Sequence, residues 1–195
     1  MSLYTAIEAY EPIRHIWQGT PNEADAITHV WRDRPVNMAA FSVITDVRLT
    51  SGPNGLICSQ RSARLDGEEW LYKGFDLLRS GDLMWRCYED HLTPHGRSLT
   101  VSNGRTLVIA SFNLTETEMT SRLWTPSGND AYTWETSIAL SGWQAAEGTP
   151  LVVGFGMLGN GNVSELCDDP VIEFAVVDEV LTTAQMEDLA EAGGF

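Results

Sequence analysis

The chain has 195 residues, with 27 acidic against 12 basic and a formal net charge of −15. That is the length of one good-sized domain, able to bury about 70% of its unfolded surface without a metal or disulfide. The charge excludes nucleic acid and anionic lipid as partners, and no apolar run reaches the roughly 20 residues of a membrane span.

Only one cation is a lysine, Lys73; the other eleven are arginines. The acidity is spread along the chain, which reads as solubility or a saline origin; the sharper alternative is cation binding. The N-terminus carries neither a basic n-region nor a signal-peptide core, so export by the usual route is not expected. Cys58, Cys87 and Cys167 form no CxxC pair and read as buried thiols, with one disulfide between two of them as the alternative the sequence leaves open.

Residues 1–38 are the least regular part, mixing short apolar stretches at 13–17 and 27–31 with Pro12, Pro21 and Pro35. They are either the first strands of a sandwich or an arm that packs on a neighbour. The main domain is expected over 39–195. Residues 41–49 alternate apolar and polar, the period of a half-buried strand, and a Gly-Pro-Asn-Gly turn follows at 52–55. Residues 70–78 and 83–88 flank Arg79-Ser80-Gly81-Asp82 and predict a β-hairpin. Asn103-Gly104 precedes a strong strand at 106–112.

The segment 123–144 holds Trp124, Trp134 and Trp143 among Pro126, Ser127, Gly128, Asn129, Asp130 and Tyr132. Aromatic rings in a polar, loop-rich setting can stack on sugar faces or seat a protein partner. The same tryptophans can equally be core. Together with Tyr132 they are the candidate carbohydrate- or partner-binding residues. A further strand is predicted at 150–155 and a tight loop at 159–162. Glu165, Asp168 and Asp169 follow that loop, hard oxygen ligands suited to calcium. The competing reading is a solvated acidic turn before Pro170.

The C-terminus is the clearest stretch. Residues 171–177 are a β-branched and aromatic run that predicts a strand. Thr182 and Gln185 have the spacing of a capping box, and Leu181 and Met186 that of a hydrophobic staple. Met186, Leu189 and Ala190 share one helical face, and Gly193-Gly194 ends the helix. Many short strands closed by one short helix predict an all-β sandwich.

This order of strand, Leu-Thr cap and short helix resembles the closing segment of laminin-G-like domains. Those belong to the concanavalin A-like lectin/glucanase superfamily. The strand at 41–43, the segment 72–77 with the Gly-Asp-Leu-Met-Trp that follows it, the strand at 106–112 with 121–124, and the run 151–154 extend the likeness over about 40–190. The resemblance implies a jelly-roll β-sandwich with one C-terminal helix, and a loop rim where calcium is often held. It does not fix a function, because the fold hosts lectins, hydrolases and structural modules.

No catalytic constellation is found. The Glu-x-Asp-x-x-Glu of the glucanase branch is absent, and Glu173 and Asp178, five apart, would face opposite sides of a regular strand. None of His15, His29, His91 and His95 sits in a nucleophile setting. The chain is therefore expected to be a non-enzymatic interaction or structural protein, with no cofactor unless calcium. The leading expectation is a virion-surface component, such as a phage head-decoration, fibre or tail protein, since a lone module without a leader reaches the outside by lysis. Its partners would be other virion proteins or a host-surface glycan, with self-association left open. The alternative is a free-standing carbohydrate-binding lectin; a cytoplasmic location and a glycoside hydrolase are the remaining readings.

Overall fold

The computed structural model describes residues 3–8, 13–18, 29–31, 39–51, 55–91, 95–115, 117–135, 149, 151–154, 156–157, 163–164, 169 and 171–195. At 13–18, 29–31, 63–65, 70, 89–91, 134–135, 156–157 and 163–164 the backbone alone is described. In chain order the elements are α1 (Leu3–Glu8), β1 (Ile13–Gln18), β2 (His29–Trp31), β3 (Ala40–Leu49), β4 (Gly55–Asp66), β5 (Glu69–Ser80), β6 (Asp82–His91) and β7 (His95–Leu99). They continue with β8 (Gly104–Leu114), β9 (Glu118–Thr125), β10 (Gly128–Glu135), β11 (Leu151–Val153), β12 (Gly156–Met157), β13 (Val163–Ser164), β14 (Val171–Val177) and α2 (Thr183–Gly193).

One six-stranded sheet runs β1-β14-β3-β8-β9-β10, the other β2-β11-β4-β5-β6-β7, and β12 pairs with β13. The predicted jelly-roll sandwich with a short C-terminal helix is the fold observed. The apolar stretches of the N-terminal segment are edge strands, β1 against β14 and β2 against β11. The predicted hairpin is present and tighter than expected: β5 and β6 stay paired to Ser80 and Asp82, with Gly81 alone at the turn.

The core between the sheets is built on aromatic rings. Phe41 lies 5.2 Å from Phe75 and 5.8 Å from Phe112, and Phe75 lies 5.1 Å from Trp85. Cys58 and Cys87 are buried in this core, as expected for apolar-like thiols; Cys167 lies outside the described residues.

A second apolar layer covers the other face of the first sheet. Ile44, Leu107, Ile109, Ala175 and Val177 meet Leu3 and Ile7 of α1 and Leu181, Met186 and Leu189 at α2. The half-buried pattern expected over 41–49 is therefore incorrect. Residues 41–47 are buried without a break, because the strand is central in its sheet and the helices sheath its outer side. Polar residues there find partners: the Ser42 hydroxyl donates to the Glu179 carbonyl at 2.8 Å and accepts from the Leu181 N–H at 3.1 Å.

The α2 cap forms as the sequence predicts. The Thr182 hydroxyl accepts from the Gln185 N–H, and the Gln185 side chain accepts from the Thr182 N–H at 2.7 Å. Gly194 closes the helix in the left-handed conformation. Burying side chains such as Met186 and Leu189 contributes about 1.5–3 kcal/mol each, so the helix is held by its apolar face as much as by its cap. Among the described residues, no helix is long and apolar enough to cross a membrane.

Candidate functional site

Side chains alternate across a strand, so the residues between those of the core stand on the outer face of the second sheet. Along β4, β5, β6 and β7, Ser59, Asp76, Arg86 and Gly96 are register partners in one row. Arg61, Gly74 and Tyr88 form the next row, and Tyr72 precedes Gly74 on the same face of β5.

The rows meet in one polar cluster. Asp76, fully buried, accepts from the Ser59 hydroxyl at 2.7 Å and from Arg61 Nη1 at 2.8 Å; Arg86 Nη2 lies 3.3 Å away. The Tyr72 and Tyr88 rings are 5.4 Å apart. The Arg61 guanidinium lies 4.7 Å from the Tyr72 ring centre and 5.7 Å from that of Tyr88; the Arg86 guanidinium is also 5.7 Å from Tyr88. Such stacking orients a guanidinium; the Arg61 side chain is 8% exposed and that of Arg86 21%.

Two glycines make the cluster possible. Gly74, buried with φ +107°, stands between Arg61 and Tyr88 and adds no side chain to separate them. A Cβ on Gly96 would lie 2.9 Å from the Trp85 carbonyl oxygen, so the close approach of β7 to β6 beside Arg86 needs a glycine there.

Burial, and then the Asp76 carboxylate, push the Tyr88 phenol well above its usual range. The hydroxyl is a proton-bearing group at any ordinary pH. Arg86 is one-fifth exposed at the side chain, and its buried Nε has no hydrogen-bond partner among the described residues. The described side chains thus hold two guanidiniums, one carboxylate and two phenols, a set suited to an anionic group carried on a hydroxyl-rich or apolar body.

The residues singled out from the sequence lie elsewhere. Trp124 is 6% exposed, packed between the first sheet and α2. It is a buried wall and not a displayed platform, because β9 presents it to the helix layer. It does line a cleft of about 590 Å³ with Pro126, Ser127, Glu187, Glu191 and Phe195. Tyr132 is 54% exposed on β10, with the Arg97 guanidinium 5.1 Å from its ring centre. The backbone at Trp134 is in β10, but its side chain, and Trp143 as a whole, lie outside the described residues.

Glu165 and Asp168 also lie outside the described residues. Asp169 is buried and engaged within the chain: its carboxylate accepts from the Thr50 N–H at 2.6 Å and the Thr50 hydroxyl at 2.9 Å, and pairs with Arg79 at 3.5 Å. Among the described residues, no three side chains of metal-ligating type gather in one place.

Sequence reasoning missed Arg61, Tyr72, Asp76, Arg86 and Tyr88. A signal was available: Ser59-x-Arg61, Tyr72-x-Gly74-x-Asp76 and Arg86-x-Tyr88 each place polar groups at period two between core residues.

The two six-stranded sheets and the short C-terminal helix define an all-β jelly roll. Comparison with solved structures narrows the likeness. The CBM40 carbohydrate-binding module of the Ruminococcus gnavus IT-sialidase, bound to α2,3 sialyllactose, superposes with a TM-score of 0.66 at 12% identity, covering 93% of this chain and 99% of that one. The NanB sialidase of Streptococcus pneumoniae, as its K499G mutant, gives 0.63 at 9% identity over 89% of this chain and 27% of that one. A heptameric SAP-like pentraxin from Limulus polyphemus gives 0.50 at 16% identity, covering 92% and 82%. No family model matches the sequence, and no curated protein is similar to it. These likenesses establish the fold.

Proposed function

We propose that this chain is a carbohydrate-binding module that takes a carboxylate-bearing glycan on the outer face of its second sheet. The observation that carries this reading is the pairing of Arg61 and Arg86 over Tyr72 and Tyr88 around one buried carboxylate. Guanidinium edges match a carboxylate, and aromatic rings give a sugar ring an apolar surface. The superposed CBM40 structures contain α2,3 and α2,6 sialyllactose, which makes sialylated oligosaccharides the first class to test. This favours the glycan-binding reading over the particle-surface role, for which neither the fold nor the comparisons supply support.

Calorimetric titration with 3′-sialyllactose, 6′-sialyllactose and lactose checks the proposal. Saturable binding of a sialylated sugar and at least a tenfold weaker response to lactose is expected, since a charged hydrogen bond contributes about 1.5–3 kcal/mol. Arg86→Ala should remove that preference. Equal binding of lactose, or no binding of either sialylated sugar, would overturn it.

A further inference from the structure

Asp76 has a place in this face that its burial makes distinctive. It cannot touch a ligand, since its side chain is 0% exposed. Yet it bonds or pairs with three side chains of the face: the Ser59 hydroxyl to Oδ1, and Arg61 and Arg86 to Oδ2. A carboxylate without water is costly unless charged donors surround it, so both guanidiniums are drawn to one point. Without it, two arginines stacked near the same tyrosine would repel each other.

We propose that Asp76 is the positioning residue of this face, holding both guanidiniums and limiting the face to a single anionic group; this rests on the glycan-binding reading above. The charge arithmetic supports it. Two guanidiniums and one carboxylate leave the described side chains with one net positive charge. One surplus charge suits a sugar monocarboxylate better than a sulfate or phosphate dianion.

The test uses the whole chain and two ligands, 3′-sialyllactose and inorganic sulfate, with Asp76→Asn and Ser59→Ala beside the wild type. Asp76→Asn keeps the shape and raises the net charge of the cluster from one to two. Glycan affinity should fall by about tenfold or more as the guanidiniums lose their anchor, while sulfate affinity rises. A merely structural role would move both ligands in the same direction, together with the melting temperature. Ser59→Ala keeps the charge and removes only the Oδ1 bond, so glycan affinity should fall several-fold with no gain for sulfate. If Asp76→Asn does not fold, Ser59→Ala decides: unchanged glycan affinity overturns the proposal. Parallel losses in both ligands, or no change in either, also overturn it. A wild type that binds no sialylated sugar defeats the glycan reading instead, and is seen before any variant is made.

Discussion

Tyr88 shows at the scale of one residue how the fold alters chemistry. Its ring is sheathed by Arg61, Arg86 and Tyr72, and its phenol is moved upward first by burial and then by Asp76. The folded value exceeds the ordinary value of 10.0. The protonated form is therefore favoured in the folded state. The stability this contributes is complete below that value and is lost as pH rises above it, since only the unfolded chain then releases the proton. In an ultraviolet titration the Tyr88 step should arrive late and coincide with alkaline unfolding. Tyr88→Phe should abolish that step and make stability less sensitive to pH above 10. Tyr4 is also shifted upward, so an unchanged amplitude of the late absorbance change after the substitution would mean that burial does not control the Tyr88 phenol.

At the scale of the element, α2 has the clearest sequence-to-structure relation. Its start rests on the reciprocal Thr182–Gln185 bonds and on Leu181 against Met186. Thr182→Ala should cost about 1 kcal/mol, or roughly 2–4 °C in melting temperature, measured by urea and thermal unfolding. A change below a few tenths of a kcal/mol would show that tertiary packing alone sets the helix start. This helix and β14 were legible because every signal that shapes them is local. The pairing of β14 with β3, more than 120 residues earlier, was not; no local pattern encodes which strand becomes a neighbour. For the same reason β3 looked half-buried, as its alternation gives no sign of a covering helix. The site was hidden in a similar way. Arg61, Asp76 and Arg86 lie on three strands and become a cluster only through register. The tryptophans of 123–144 were conspicuous in sequence, yet Trp124 serves packing, which composition cannot distinguish from display.

For the whole molecule, the net charge of −15 sets a long-range field that opposes the ligand proposed here. The cluster attracts a carboxylate only at short range, while the rest of the surface repels it. Screening shortens the reach of that repulsion from about 30 Å at 0.01 M salt to about 8 Å at 0.15 M. The association rate for a sialylated sugar should therefore rise with ionic strength over this range, the reverse of ordinary charge steering. Stopped-flow measurements check this, and a rate that falls with salt would show that the arginine face dominates the approach. The central position of β14 has a consequence for how the protein is made. Its two neighbours, β1 and β3, come from the first 50 residues, yet β14 begins at Val171. On the ribosome, the edges of those strands that face β14 must wait open until residues 171–177 have emerged. Such long-range closure is slow and leaves strand edges exposed to wrong partners. The interval before residues 171–193 are synthesised is thus when this chain is most vulnerable to aggregation and most dependent on chaperones.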